Sequence, residues 1–326
     1  MSTMIGSAEA IPTSAPTPVV SVAPVVLPAP GRPVPLQLRV SAPAAGPETG
    51  GDLPIVLLSH GHGSSNNLSS LNGYGPLANF WAAHGFVVIQ PTHLSSKTLS
   101  GDPRVDPTGA EGPLFWRSRA EDMHRILDQL DAVEAAVPEV RGRLDRSRIA
   151  VAGHSLGGLT ASMLLGARVP DATGTPVDLA DPRIRAGVVI GGPGDGALLN
   201  GPAGERFPFM KQISFAGMTA PALVVVGDKD LNPAFSDHLE YRAGSYALSP
   251  GPKWLLTLFG AGHIFGGISG YDAAETTDES PERVEAVARL TWAYLRTALY
   301  PGDPAWPAAQ AALRDAPDPL GRIECK

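Results

Sequence analysis

One serine lies where a nucleophile is typically held, in the stretch RIAVAGHSLGGLT at residues 148–160. The small apolar residues before Ser155 predict a strand, and the residues after it predict a helix. Gly153, Gly157 and Gly158 lack the Cβ atoms that would collide where a strand turns sharply into a helix. Such a turn lifts the serine side chain away from the backbone, so the pattern predicts a nucleophile elbow.

A glycine-rich turn before a helix can also bind phosphate or simply pack closely. However, GHSLGG does not match the Gly-x-Gly-x-x-Gly pattern of dinucleotide-binding turns, and it lacks the Lys-Ser/Thr pair of a P-loop. The first amide of the following helix, that of Leu156, is suited to bind a developing oxyanion. Because a serine hydroxyl attacks only when a base accepts its proton, the nucleophile interpretation requires a histidine and an orienting acid later in the chain.

The elements around this turn alternate. Six short apolar runs predict strands buried on both faces of a parallel sheet: LPIVLLSH, GFVVIQP, RIAVAGH, RAGVVIGG, PALVVVGD and KWLLTLFG. Helical periodicity separates them, most clearly over residues 116–137 and 281–299. Two β-rich runs within residues 20–43 flank a Pro/Gly turn and predict an antiparallel hairpin. The fold class is therefore α/β, with a mostly parallel central sheet, an N-terminal hairpin and helices on both faces.

The motifs SHGHG, GHSLGG, GDKD and GAGH follow one another behind this hairpin. In that order they resemble the α/β-hydrolase superfamily, from about residue 19 to residue 299. The resemblance is greatest to the chlorophyllase, platelet-activating-factor-acetylhydrolase and dienelactone-hydrolase-like esterases. Bacterial cutinases and polyester hydrolases are also similar, but their usual C-terminal disulfide cannot form here, since Cys325 is the only cysteine.

The resemblance implies a catalytic triad with Ser155. Its base is His263 in LFGAGHIF, in the loop after the last predicted strand. Its acid is Asp230, three residues after the glycine that ends the strand VVVG, with Asp228 in the same loop as the alternative. Asp195 in GGPGDG is a third candidate, because some members of the superfamily carry the acid after the preceding strand.

The resemblance also implies an oxyanion hole made by the backbone amides of His62 and Leu156, with His62 in the loop LLSHGHGSSNN. His60 and His62 would alternatively suggest a metal, but no third ligand follows at metal-site spacing, so neither a metal nor a cofactor is expected. His93, after another strand end, either lines the substrate pocket or makes a structural hydrogen bond.

Apolar residues indicate a pocket for a small apolar ester. The candidates at its mouth are Phe115, Trp116, Ile264 and Phe265. The long connection at residues 192–220 is rich in Phe, Leu and Met, and it forms either a small cap over the site or a segment packed against the sheet.

The predicted organisation is a flexible tail at residues 1–16, a hydrolase domain at 17–300 and a C-terminal extension at 301–326. The extension packs as a short helix or hangs free. The apolar opening PTPVVSVAPVVLPAP has no basic residue before Arg32 and is interrupted by prolines, so we recognise no signal peptide. No apolar run is long enough to span a bilayer, and we expect a cytoplasmic or otherwise soluble protein.

The net charge of −7, without any long basic run, argues against a nucleic-acid partner. The leading hypothesis is a serine hydrolase that cleaves carboxylic esters through an acyl-enzyme. One alternative is an acyltransferase, or a lactone or amide hydrolase, that uses the same triad. Another is a non-catalytic binding protein on a hydrolase scaffold. The sequence does not determine the oligomeric state.

Overall fold

A nine-stranded sheet forms the centre of the fold in a computed structural model that describes residues 5–44, 52–66, 68–109, 114–270 and 273–326. Its strands, in chain order, are β1 (Val19–Leu27), β2 (Leu36–Pro43), β3 (Leu53–Ser59), β4 (Val87–Pro91), β5 (Leu144–His154), β8 (Ile184–Ile190), β9 (Ala222–Gly227), β10 (Lys253–Leu258) and β11 (Gly321–Cys325). A separate two-stranded ribbon consists of β6 (Val169–Pro170) and β7 (Pro176–Val177). Neighbours in the large sheet follow the order β1-β2-β4-β3-β5-β8-β9-β10-β11.

The strands from β4 to β10 in this order are parallel, and the two ends of the sheet are antiparallel. At one end β1 pairs with β2 and β2 with β4, which confirms the predicted hairpin. At the other end β11 pairs with β10. All six apolar runs that were predicted as strands lie in the sheet. Because the parallel strands share one direction, their carboxyl ends meet at one edge, where ligands of open α/β sheets bind.

Helices cover both faces of the sheet. The α-helices are α1 (Gly75–Ala83), α2 (Trp116–Asp128), α3 (Leu130–Ala136), α4 (Leu156–Leu164), α5 (Gly201–Arg206), α6 (Gly244–Ala247), α7 (Pro281–Leu299) and α8 (Ala305–Asp315). Successive strand residues enter opposite cores: Leu57 packs in the cluster under α2, α3 and α4, whereas Val56 packs in the cluster under α1, α7 and α8. This arrangement confirms the predicted α/β-hydrolase fold class.

The periodic stretch 116–137, predicted as one helix, is two helices. Gln129 leaves the helical conformation with φ −122° between α2 and α3. Its backbone N–H donates to the carbonyl of Ile126, one residue nearer than in an α-helix, and its side-chain amide donates to the carbonyl of Arg125. The break therefore leaves that carbonyl satisfied. By contrast, the helix predicted at residues 281–299 has those bounds in α7.

The N-terminal segment differs from the flexible tail predicted for residues 1–16. Residues 1–4 lie outside the described residues, but residues 5–16 pack on the body of the fold. Ile11 is 2% exposed, and its carbonyl accepts a hydrogen bond from Arg289 of α7. Ser7 donates both its amide and its hydroxyl to Glu282 of the same helix. The sequence pattern missed this segment because its partners lie about 280 residues away.

The C-terminal residues 301–326, predicted as an extension, form α8 and β11. Trp306 of α8 packs edge-on against Trp254 of β10 and Tyr294 of α7. Residues 321–325 then extend the sheet beside β10. Among the described residues, no helix has both the length and the apolar character needed to cross a bilayer.

Candidate active site

Ser155 occupies a strained turn between β5 and α4. Its φ of 55° and ψ of −121° lie outside the regions that residues with a Cβ favour, and such a conformation costs on the order of 1–3 kcal/mol. A Cβ on Gly153 would stand 2.0 Å from the carbonyl oxygen of Gly157, and one on Gly157 would stand 2.0 Å from that of Ser59. The sharp turn therefore requires glycine at residues 153 and 157.

The hydroxyl of Ser155 contacts His263, which in turn contacts Asp230. The distances are 2.9 Å from Ser155 Oγ to His263 Nε2 and 2.9 Å from His263 Nδ1 to Asp230 Oδ2. Next to a carboxylate, Nδ1 carries the imidazole proton, which leaves the lone pair of Nε2 directed at the serine. The imidazole is thus oriented to accept the proton of the Ser155 hydroxyl.

The carboxyl group of Asp230 is 1% exposed. Burial alone raises its pKa, but the hydrogen bond and charge of His263, together with the charge of Arg242, outweigh burial and hold the pKa below the ordinary range. Of the two alternative acids, Asp228 accepts a hydrogen bond from the amide of Gly260, and Asp195 caps a short helical turn through the amide of Ala197. Neither carboxylate contacts His263 among the described residues.

Arg242 was not identified from the sequence. It lies in a short helical turn after β9, 6% exposed, with Nε 3.5 Å from Asp230 Oδ2. Its Nη1 donates to the carbonyl of Gly191 at 3.2 Å. No sequence motif identifies this arginine, because its contact with Asp230 depends on how the segment between β9 and β10 folds.

His62 and Leu156 line the same cavity as Ser155. Within the described part of the chain, neither amide N–H has a hydrogen-bond acceptor. The loop carrying His62 lies close to the turn, since a Cβ on Gly61 would stand 3.4 Å from Cβ of Ser155. Unpaired amide donors at a cavity that also contains a serine are candidates to bind a developing oxyanion.

A chain of buried hydrogen bonds joins this loop to the His263 loop. The amide of Gly61 donates to the hydroxyl of Tyr74 at 3.0 Å, and that hydroxyl lies 2.8 Å from His154 Nδ1. His154 Nε2 lies 2.7 Å from the carbonyl of His263, so Nε2 carries the proton and Nδ1 accepts from Tyr74. Burial, reinforced by the charge of His263, lowers the pKa of His154 to about 3, so this ring stays neutral.

A second buried hydrogen-bond network contacts the loop that carries His62 at residues 59 and 60. Arg119 is fully buried and donates to the carbonyl of His60 and to the hydroxyls of Ser59, Ser95 and Thr160. Burial lowers the pKa of its guanidinium to about 9. A buried cation with this many acceptors fixes the backbone just before His62.

His93 belongs to this network and not to the pocket. It is fully buried, with Nε2 3.0 Å from Ser59 Oγ and Nδ1 3.0 Å from Asp122 Oδ2. Asp122 also pairs with Arg32. The sequence left open whether His93 lines the pocket or makes a structural hydrogen bond, and the structure shows the hydrogen bonds. His60, the other half of the possible metal pair, contacts the carbonyl of Gly61 and accepts from the amide of His93.

A cavity of about 320 Å³ opens at Ser155 and His263. Of the four aromatic and aliphatic residues predicted at its mouth, Phe115 lines a neighbouring cavity of about 450 Å³ that shares His62. Trp116, Ile264 and Phe265 are core residues instead, at most 5% exposed. They do not contribute to the described walls of either cavity, because the helix α2 and the loop after His263 turn them inward.

The segment 192–220 supplies part of the cavity wall. Its contributions are Pro193, Arg206, Phe207 and Met210, and they face Asn232 and Phe235 from the loop after β9. Phe207 stacks on Phe235 with 6.3 Å between ring centres. Met210 is at the same time 3% exposed and packed in the core, so this part of the segment is packed against the body of the fold. No group of three or more His, Cys, Asp or Glu side chains among the described residues is arranged to hold a metal.

No protein-family model matches this chain. Among curated proteins, the chain is similar to a platelet-activating factor acetylhydrolase of Cavia porcellus, 26% identical over 148 residues. The match covers 36% of this chain and 33% of that protein, so the chain spans about a third of its relative's length. Together with the order of the strands, this similarity makes the chain a distant homologue of that hydrolase over part of its length.

Proposed function

We propose that this protein is a serine hydrolase that cleaves carboxylic esters through an acyl-enzyme intermediate. The observation that carries the proposal is the run of two 2.9 Å contacts from Ser155 through His263 to Asp230. The distant similarity to an acetylhydrolase supports the same reaction class. No cofactor takes part in the proposed reaction.

In the first half of the reaction, Ser155 Oγ attacks the ester carbonyl while His263 Nε2 takes the hydroxyl proton. The carbonyl oxygen becomes an oxyanion, and the amides of His62 and Leu156 donate to it. The imidazolium is stabilised by Asp230. When the tetrahedral intermediate collapses, the bond between the carbonyl carbon and the alcohol oxygen breaks, and His263 returns its proton to the departing alcohol.

In the second half, a water molecule replaces the alcohol. His263 removes a proton from the water, the hydroxide adds to the acyl carbon, and collapse returns the proton to Ser155 Oγ as the acid departs. Arg242 holds Asp230 without contacting the reacting atoms. Its position beside the carboxylate favours the ionised form of Asp230, which the imidazolium requires.

The test is hydrolysis of p-nitrophenyl esters from acetate to decanoate, with release of p-nitrophenol and the intact mass of the protein recorded together. We expect turnover that falls by at least about 10³-fold in Ser155→Ala. Ser162→Ala is the matched control, because Ser162 lies in the helix that follows Ser155 and its buried hydroxyl has no hydrogen-bond partner in the described structure. Equal turnover by Ser155→Ala and the natural protein would rule out the proposal.

The mass measurement separates hydrolysis from acyl transfer. A hydrolase releases the acyl group to water and shows no lasting adduct. One equivalent of p-nitrophenol with a stable acyl adduct on Ser155 would instead identify a nucleophile whose natural acceptor is not water, and would overturn the assignment as a hydrolase.

A further inference from the structure

The described lining of the cavity at Ser155 contains basic residues but no acidic ones, although the chain as a whole carries a net charge of −7. Two arginines, Arg206 and Arg242, are among its described lining residues, and no Asp or Glu is. The remaining walls are mostly apolar, including Phe207, Met210 and Phe235. Apolar walls strengthen the field of a nearby charge, because they leave less water to screen it.

The two arginines differ in whether a carboxylate already neutralises their charge. Arg242 is buried, its Nε is 3.5 Å from Asp230, and one of its amino groups donates to a backbone carbonyl. Arg206 is exposed at the end of α5 and has no carboxylate partner among the described residues. Its sequence neighbour Glu205 forms no ion pair with it. The charge of Arg206 is therefore available to a ligand.

Arg206 is also held against the cavity wall. Its guanidinium lies 5.2 Å from the ring centre of Phe207, which itself stacks on Phe235, and all three residues line the cavity. A cation over an aromatic face retains its hydrogen-bond donors at the edge of the guanidinium plane. The donors remain free to bind a carboxylate, sulfonate or phosphate oxygen.

We propose that the natural substrate is an ester that carries an anionic group, and that Arg206 binds this group while Ser155 attacks the ester. The inference rests on the proposed esterase function and adds the charge of the substrate to it. The anionic group belongs either to the acyl part or to the alcohol part of the ester, and the experiment has one arm for each.

The acyl arm compares mono(4-nitrophenyl) adipate with its neutral isostere 4-nitrophenyl 5-carbamoylpentanoate, which has the same leaving group. The alcohol arm compares 3-acetoxybenzoate with 3-acetoxybenzamide, which have the same acyl group. Rates without protein are subtracted in each case. We expect the anionic member of one pair to have a kcat/KM about two- to fivefold higher than its neutral partner, the range of an exposed ion pair.

Arg206→Gln should abolish this preference. Arg141→Gln is the matched control, because it removes the same charge from an exposed arginine at the opposite, amino-terminal end of β5. Rising salt should reduce the preference in the natural protein and in Arg141→Gln but leave Arg206→Gln unchanged. A merely structural role of Arg206 would not produce this salt dependence.

Three results would overturn the inference. If neutral esters are hydrolysed in a Ser155-dependent way but neither anionic ester is preferred, the substrate assignment fails and the esterase function stands. If a preference persists in Arg206→Gln, another group recognises the anion. If no ester of either kind is hydrolysed, the esterase proposal fails and the inference fails with it.

Discussion

The back of the site and its mouth are built in opposite ways. Behind the loop that carries His62, three side chains are fully buried and have hydrogen-bond partners within the fold: Tyr74, Arg119 and His154. At the mouth, Arg206 and Asn232 are exposed and line the cavity. If the proposed function holds, we expect the back to fix the backbone of the loop that carries His62 and the mouth to influence which ester is bound. Variants at the back should therefore change stability and rate together, whereas variants at the mouth should change selectivity.

The strongest test of the back concerns the two neighbouring carboxylates. We expect Asp230→Asn to lower kcat/KM for p-nitrophenyl esters by about 10³- to 10⁴-fold, because an amide cannot hold the proton on Nδ1 of His263 or stabilise the imidazolium. Asp228→Asn, two residues away, keeps an oxygen that can accept from the amide of Gly260 and removes only a charge that does not contact His263, so it should cost less than about tenfold. Similar losses in both variants would contradict the assignment of Asp230 as the triad acid.

Acid should weaken the back of the site through its neutral histidines. Burial lowers the pKa of His154 to about 3 and holds those of His60 and His93 well below the ordinary value. As the pH falls below about 6.5, the unfolded chain binds protons at these histidines that the folded chain does not bind, so the free energy of unfolding decreases, by about 2 kcal/mol at pH 5 for His154 alone. Burial raises the pKa of Asp122 to about 6. The folded chain therefore binds this proton more readily than the unfolded chain, which stabilises the fold by about 1 kcal/mol at pH 5 and offsets part of the loss.

The measurement is urea unfolding at pH 7 and pH 5 at constant ionic strength. We expect a lower free energy of unfolding at pH 5, because three neutral histidines lose stability there and one carboxyl group offsets only part of it. An unchanged or higher midpoint at pH 5 would mean that these rings are protonated in the folded protein, and the hydrogen-bond directions assigned to His154 would then be wrong.

Removal of one hydroxyl tests the link between the two loops. Tyr74→Phe leaves the amide of Gly61 and Nδ1 of His154 without their partner, so we expect a loss of about 1–3 kcal/mol of stability and about tenfold in kcat. Tyr294→Phe is the control, because the hydroxyl of Tyr294 is buried with no partner in the described structure and its loss should cost nothing. Thermal unfolding and ester kinetics are measured on both variants. Similar losses in Tyr74→Phe and Tyr294→Phe would contradict a role for the hydrogen bonds of the Tyr74 hydroxyl.

The smallest effects are expected at the mouth. Phe207→Ala should lower kcat/KM for the decanoate ester about two- to fivefold relative to the acetate ester, since part of the apolar wall is lost. Stability should change by less than about 1 kcal/mol, because Phe207 is only half-buried. Val26→Ala, at an exposed position of β1, serves as the control. A uniform loss across all chain lengths would place Phe207 with the structural residues.

Much of the framework could be predicted because the signals are local. The apolar runs gave the six strands, and the glycines around Ser155 gave the turn, since the backbone geometry there depends on residues within a few positions. The bounds of α7 were also predictable, because Pro281 in its first turn and the cap by Ser280 are local features. The proximity of Ser155, His263 and Asp230 was expected only from the resemblance to a family.

The sequence by itself thus determined the alternation of strands and helices and the strained turn at Ser155. Only the tertiary structure decided the partners that are far apart along the chain. Tyr74 meets His154 across 80 residues, and Arg242 reaches Asp230 from a separate helical turn. It likewise packed residues 7–11 on α7 and turned Phe265 into the core. The physical reason is that burial and hydrogen-bond pairing between distant segments depend on the whole packed fold, and local residue patterns carry no record of them.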